Sequence, residues 1–131
     1  MTLKLGVVQA RSRPGRTAIN LARATRYVEQ AAVRGAALVV LPELYACGYL
    51  PNRDVWTVAE PEVNGSTASW LTATTKRLGI HLGAATAQTD GTDIFNVFLL
   101  ARPDGTIAGR AYKTNAEAYV LHPARDPGPA E

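Results

Sequence analysis

Apolar runs and helical periodicities alternate along the first part of the chain. Residues 3–9 form a short apolar run before a breaker-rich stretch at 11–16, which predicts a buried strand followed by a loop. From Thr17 onward apolar residues recur at mostly helical spacing, which predicts a helix with Thr17 as its N-cap and Gly35 as its stop. Residues 37–41 are apolar without polar alternation and predict a central strand covered on both faces. The residues that carry the helical spacing are Ile19, Ala22, Tyr27, Ala31 and Val33.

The second part of the chain begins with an irregular segment and continues with one helix and three strands. Residues 45–65 contain several Gly, Pro and Asn residues and lack periodicity, so they predict one long loop of the kind that shapes a site. Ser66 begins a second helical pattern, which Gly79 ends. Strands are predicted at residues 80–87, 94–101 and 106–112, with turns at Asp90-Gly91 and at Pro103-Asp104-Gly105.

The predicted order βαβαβββ describes an α/β layer in which helices pack on a mixed sheet, because a hairpin is attached to parallel crossovers. The last hairpin leaves an apolar edge that needs covering by missing chain or by a partner. After Lys113 the pattern weakens, and residues 116–121 predict either a helix or a strand. Residues 122–131 contain three prolines and a glycine and predict coil. We therefore expect one domain over residues 1–121 and a disordered or non-native tail at 122–131.

Composition narrows the class of protein. The chain has 131 residues, of which 47% are hydrophobic and 19% charged, as in ordinary globular domains. Its net charge of +3 comes from scattered residues, so neither nucleic acid nor a membrane surface is implied as a partner. No signal-peptide pattern or run of about 18 apolar residues is present, which makes a cytoplasmic protein the default. The single cysteine agrees with a reducing compartment.

Glu43 follows the apolar run 38–41 by two residues. Ligands of α/β sheets collect beyond the carboxyl ends of strands, so this carboxylate is placed for chemistry. Apolar walls around it would raise its pKa and suit it to proton transfer near neutral pH. Alternatively, a glutamate here caps a helix or pairs with a buried arginine, and its position alone leaves both interpretations open.

Lys113 ends the strand predicted at residues 106–112, again at a carboxyl end, so it is expected to share a rim of the sheet with Glu43. A lysine beside a glutamate keeps the glutamate ionised, and its ammonium can stabilise an oxyanion on a substrate carbonyl. Taken alone, a lysine at the end of a strand is more often simply solvated.

Two longer motifs are more specific than either residue. LPELxxxGY follows an apolar strand at residues 41–49, and PDGxxxGxxYK at residues 103–113 follows a strand that contains FNxxxL. In this order they resemble the nitrilase, or carbon-nitrogen hydrolase, superfamily over residues 3 to about 117. The resemblance implies the N-terminal part of an αββα sandwich, with helices on one face of a mixed sheet.

The resemblance also implies an activity, the hydrolysis of nitriles, amides or carbamoyl groups by a Glu-Lys-Cys triad. It would make Glu43 the acid/base, Lys113 the oxyanion-stabilising residue and Glu117 a candidate second acid. The nucleophilic cysteine of the family follows the lysine by some tens of residues, and this chain ends first, so we expect the chain alone to be inactive. No cofactor is implied. The implied substrate is a small molecule, and a homo-oligomer is expected because family members commonly associate.

The remaining candidate residues are expected to be structural. Cys47 lies four residues after Glu43, and a small apolar thiol at a loop start is more often a packing residue than a nucleophile. Asn96 is expected to bond neighbouring backbone, and His81 to be a structural histidine. Two distant histidines and one cysteine do not reach ligand spacing, so no metal site is predicted. Tyr49 and Tyr112 are expected to line a pocket or the core.

Other classes of function stay open at this point. A non-catalytic scaffold that pairs with a full-length relative would keep the same half of the fold. A nucleotide-binding module is disfavoured, because neither GxxxxGK[ST] nor GxGxxG is present. The abrupt change of composition after Leu121 also favours truncation or a shifted reading frame.

Overall fold

Among the described residues, six strands form one mixed sheet, and two α-helices lie on the same face of it. The computed structural model describes residues 2–50 and 53–114. The elements are β1 (Leu5–Val7), α1 (Thr17–Val33), β2 (Leu38–Val40), a 3-10 helix (Arg53–Thr57), β3 (Glu60–Pro61), α2 (Ser66–Leu78), β4 (His81–Thr89), β5 (Ile94–Ala101) and β6 (Ile107–Tyr112). The sheet order is β1-β2-β4-β5-β6, with β1, β2 and β4 parallel and β4, β5 and β6 antiparallel. This order confirms the predicted α/β class, the mixed sheet and the helices on one face.

The core lies between the helices and the sheet. Alternate strand residues such as Val39, Leu82 and Leu99 point at the helices and are fully buried, as the two-residue period of a strand requires. They pack against Val28 of α1 and Leu71 of α2, which are also fully buried. The helical layer therefore fixes which side chains of each strand are left for the opposite face.

The structure corrects the expected burial of the first two strands. β1 is an outer strand of the sheet, and Leu5 and Val7 are 54% and 68% exposed. β2 is central, but only Val39 is fully buried, while Leu38 and Val40 on the other face are half-buried. Both expectations assumed two covered faces, and both described α-helices pack on the same one.

The start and the buried face of α1 also differ from expectation. Its N-cap is Arg16, and Thr17 is already the first helical residue. Ile19 and Val33 are 42% and 88% exposed. Alanines on all sides of the helix obscure the period of its larger apolar residues. The buried face also includes a polar residue, Asn20, which a hydrophobicity pattern does not detect. The buried residues of α1 are Asn20, Leu21, Ala24 and Val28.

The segment 45–65, expected to be a single loop, contains the 3-10 helix and the two-residue strand β3. Glu60 of β3 pairs with Gln88, so β3 follows β2 along the same edge of β4. The Glu60 carboxylate accepts hydrogen bonds from the backbone N–H and the hydroxyl of Thr67, at 2.9 and 2.7 Å, and so caps α2. A two-residue strand that ends in proline has no periodicity to detect. The predicted limits of α2 are confirmed, with Gly79 in the left-handed conformation after its last residue.

Asn20, in the first turn of α1, joins two loops. Its Nδ2 donates to the carbonyl oxygens of Arg13 and Ala46 at 2.8 and 2.9 Å, and its Oδ1 accepts from the Arg13 N–H at 2.8 Å. We expect Asn20→Ala to lower the free energy of unfolding by about 2–3 kcal/mol, because buried backbone groups lose their partners. Urea unfolding measures this loss, and Gln30→Ala, an exposed change on the same helix, should stay within about 0.5 kcal/mol of the parent chain. Equal effects of the two substitutions would contradict this role of Asn20.

Candidate active site

Glu43 and Lys113 meet at one rim of the sheet. β6 runs in the same direction as β2, so the residues that follow the two strands lie at the same end. The Lys113 Nζ donates to the Glu43 Oε1 at 2.8 Å across 70 residues of sequence. The predicted convergence of the two residues is confirmed, while their catalytic roles stay predictions.

Asn96 is a third member of this group, and its predicted role was wrong. It lies in β5 and is only 4% exposed. Its Nδ2 donates to the same Oε1 of Glu43 at 2.8 Å, so the side chain binds a carboxylate and not neighbouring backbone. One signal was available in the sequence, since asparagine is depleted in strands and this one interrupts the apolar run Ile94–Ala101.

The contacts lower the pKa of Glu43, which corrects the sequence-based expectation of a raised value. The hydrogen bond from Lys113 has the largest effect, desolvation opposes it, and the hydrogen bond from Asn96 and the charge of Lys113 lower the pKa further. The Glu43 side chain is 57% exposed, so the two donors outweigh the loss of water. The carboxylate is therefore ionised at neutral pH, as a general base must be.

A buried turn holds the backbone of Glu43 in place. The N–H of Leu41 donates to the Gly83 carbonyl at 3.0 Å, which ties the start of the turn to β4. Leu44 adopts the left-handed region at φ 50°, and it is buried together with Tyr45. A non-glycine residue at positive φ persists only where its surroundings over-determine it, and such positions cluster at functional sites. The turn thus presents an exposed carboxylate from a rigid support.

A cavity of about 410 Å³ lies beside the carboxylate on the sheet face opposite the helices. The ring of Phe98 lies over Gly83. A Cβ added at Gly83 would lie 2.3 Å from the Phe98 Cζ, so only glycine leaves room for the ring. The cavity is apolar except at the end where the three polar residues meet, which suits a small ligand with an apolar body and one polar end. Besides Glu43, Asn96 and Lys113, the lining residues are Val40, Leu41, Ala85, Phe98, Ala111 and Tyr112.

Cys47 is fully buried and is not among the residues that line the cavity. Its Sγ lies 3.3 Å from the carbonyl oxygen of Gly48, and burial is the main cause of a raised pKa of the thiol. A thiol that stays protonated and out of solvent is a poor nucleophile, so the geometry agrees with a packing role.

The other candidate residues lie away from this group or outside the described residues. Tyr112 lines the cavity and meets the ring of Phe95 edge-on at 5.9 Å, in agreement with its predicted place. Tyr49 is half-exposed and does not line the cavity. His81 is exposed and opens β4 at the end of the strand away from Glu43. Glu117 lies outside the described residues, as does the predicted boundary at residue 121.

Neither a metal site nor a membrane span is found in the part of the chain that the structure describes. No group of three or more His, Cys, Asp and Glu residues within 2–50 and 53–114 could hold a metal ion. Over the same residues, neither α-helix combines the length and the apolar character that crossing a bilayer requires.

The glutamate-lysine pair thus lies at the carboxyl ends of strands of an α/β sheet, beside an apolar cavity. Comparison with known proteins gives the family. A family model described as "Carbon-nitrogen hydrolase" matches residues 4–127. The chain belongs to the carbon-nitrogen hydrolase family.

Relatives agree with this assignment, and a solved structure has the same fold. The chain is 32% identical over 90 residues to a nitrilase of Pyrococcus abyssi and 34% identical over 95 residues to a 2-oxoglutaramate amidase of Bacillus subtilis. These matches cover 67% and 71% of this chain but only 34% and 35% of the relatives. The fold matches an amidase from Nesterenkonia sp. with a TM-score of 0.85 at 23% identity, over 95% of this chain and 49% of that one. The chain thus spans about a third of the curated relatives' length and about half of the solved amidase.

Proposed function

We propose that this chain supplies the acid/base and the oxyanion-stabilising cation for hydrolysis of a non-peptide C–N bond, with an amide as substrate. The observation that carries the proposal is the 2.8 Å contact between Lys113 Nζ and Glu43 Oε1 at the mouth of an apolar cavity. Family membership supports it, as do the names of the relatives, among which are an omega-amidase of Danio rerio and the 2-oxoglutaramate amidase. The Nesterenkonia amidase has been solved in complex with butyramide, which makes a small aliphatic amide the first substrate to try.

In the proposed mechanism Glu43 moves protons and Lys113 stabilises charge. Glu43 takes the proton of a cysteine thiol, and the thiolate attacks the amide carbon to give a tetrahedral oxyanion that Lys113 stabilises. Glu43 then gives its proton to the departing ammonia, and a thioester remains. In the second half Glu43 takes a proton from water, which attacks the thioester and releases the carboxylic acid, while the proton returns to the thiolate.

The proposal places the nucleophile outside the residues of this chain. The sequence holds one cysteine, Cys47, and that thiol is fully buried. Solved structures of the Nesterenkonia amidase include one with acrylamide added at its active-site cysteine. The 131-residue chain alone is therefore proposed to be inactive, with Glu43 and Lys113 forming half of the site.

A chimaera tests the proposal directly. Residues 1–114 are joined to the half of the Nesterenkonia amidase that this chain does not match, and ammonia release from butyramide is measured. We expect turnover by the chimaera and none by the isolated chain above a Glu43→Gln control. Turnover by the isolated chain, abolished by Glu43→Gln, would refute the proposal that the nucleophile lies outside this chain. A folded chimaera that binds butyramide without hydrolysing it would favour a binding role over catalysis.

A further inference from the structure

The two oxygens of the Glu43 carboxylate have different surroundings. Asn96 Nδ2 and Lys113 Nζ both donate to Oε1, each at 2.8 Å. Neither donates to Oε2, so within residues 2–50 and 53–114 the side-chain hydrogen bonds that hold the carboxylate all end on one oxygen. A general base that must point at a thiol or at a water needs such a fixed orientation, because small errors in placement cost large factors in rate.

Asn96 is better suited to fix this orientation than Lys113. It is a short side chain in the middle of the paired strand β5, opposite Ala87 on one side, and its own carbonyl accepts the Lys113 N–H at 2.9 Å on the other. At 4% exposure its amide has little freedom. Lys113 reaches the carboxylate with a flexible four-carbon chain that loses more side-chain entropy when it is held in one place.

Building on the proposed function, we infer that Asn96 is a positioning residue whose amide holds Glu43 through Oε1 and leaves Oε2 as the oxygen that exchanges the catalytic proton. An oxygen that already accepts two hydrogen bonds has less electron density for a third partner. Protonation at Oε2 also preserves both bonds, because Oε1 then becomes the carbonyl oxygen of the acid and still accepts. Protonation at Oε1 would occupy a lone pair that already accepts, so at least one of the two bonds would be lost.

Nuclear magnetic resonance of the 131-residue chain tests this inference without any need for turnover. In the parent chain, the side-chain NH₂ signals of Asn96 are followed while the side-chain carboxyl carbon of Glu43 titrates. We expect both to move with the same midpoint, and the amide signals to stay at hydrogen-bonded positions after Glu43 is protonated. Amide signals that ignore the titration, or that collapse to the positions of a free amide on protonation, would overturn the assignment.

A substitution separates positioning from mere packing. Asn96→Leu keeps the size of the side chain and removes the donor, so the pKa of Glu43 should rise. Asn96→Ala is the second variant in case the larger side chain disturbs β5. An unchanged pKa of Glu43 in a folded variant, with stability lowered, would show that Asn96 only packs.

A crossed control uses another carboxylate of the same chain. Thr106 donates to the Oδ1 of Asp104 from its hydroxyl at 2.7 Å and from its N–H at 2.9 Å, and the hydroxyl bond is the main cause of the lowered pKa of Asp104. Thr106→Ala should raise the pKa of Asp104 and leave the pKa of Glu43 unchanged. Asn96→Leu should raise the pKa of Glu43 and leave the pKa of Asp104 unchanged. Failure of these titrations rejects the role of Asn96 alone, while a folded but inactive chimaera, with intact titrations in the 131-residue chain, rejects the proposed function alone.

Discussion

Glu43→Gln is expected to lower kcat/KM for butyramide by about 10²–10⁴-fold in the chimaera, the range that a positioned acid/base residue contributes. The substituted amide keeps the size of the side chain and can still accept from Lys113 and Asn96, so the fold should survive. It cannot accept the proton of a thiol or return it to ammonia. Steady-state ammonia release, with the KM and kcat resolved, measures the loss, which should fall mainly on kcat.

Glu29→Gln is the matched control for this substitution. Glu29 forms a surface ion pair with Arg77 at 2.8 Å, with both side chains about half exposed, and such pairs contribute little. Its replacement should change kcat/KM by less than about twofold, in keeping with a surface pair of small energy. A loss of less than about tenfold from Glu43→Gln would remove the acid/base assignment, because it falls below what general catalysis supplies.

The direction of the Glu43 pKa shift predicts the pH dependence. Because the pKa is lowered, the base is ionised throughout the neutral range, and on the acid side activity should fall only as the pH drops through this folded-state pKa. Lys113→Met removes the largest cause of the shift, so the acid limb of kcat/KM should move to higher pH. A limb that stays in place would show that Glu43 does not set it.

Gly48→Ala should have the largest effect on stability of the single substitutions considered. Gly48 has φ +75°, and a Cβ there would lie 2.6 Å from the Cα of Pro14. The left-handed conformation costs an alanine about 1–2 kcal/mol, and the overlap with backbone adds about 1–3 kcal/mol. The affected loop holds Glu43, and its Cys47 carbonyl accepts the Gly15 N–H at 2.8 Å. Urea unfolding followed by tryptophan fluorescence measures the loss.

Gly79→Ala isolates the steric part of this effect. Gly79 has a similar φ of +67°, but nothing lies within 4 Å of an added Cβ. Its replacement should cost only the conformational share, about 1–2 kcal/mol. Equal losses at the two glycines would mean that the contact with Pro14 relaxes freely and does not anchor the loop.

Local patterns predicted most elements of the fold, and the exceptions have physical causes. The second helix was predicted from Ser66 to Gly79, because a change of period and a left-handed terminator are signals within the segment itself. β3 was missed, because Glu60 is held by its pairing with Gln88 and by its bonds to Thr67, which are contacts between segments. The buried face of α1 was misjudged, because Asn20 is buried for the backbone groups that it binds.

Some features of the candidate site could likewise be predicted from the sequence, and others could not. Glu43 and Lys113 could be found because each follows a predicted strand within a motif of the family. Asn96 was wrongly predicted to bond neighbouring backbone, because its partner lies 53 residues away and no local pattern marks the pair. The predicted direction of the Glu43 pKa shift was also wrong. This direction depends on the balance between burial and hydrogen-bond donors, which only the three-dimensional structure provides.

By itself, the sequence determined the family, the alternation of strands and helices, and the two residues at the strand ends, since these depend on short-range pattern and on motif. The tertiary structure alone decided that Lys113 and Asn96 donate to the same oxygen of Glu43 and that the carboxylate is held ionised. It also decided that one face of β1 and of β2 is not covered by the described helices. Each of these depends on which distant segments approach, and therefore on the sheet register and on the side that the helices cover.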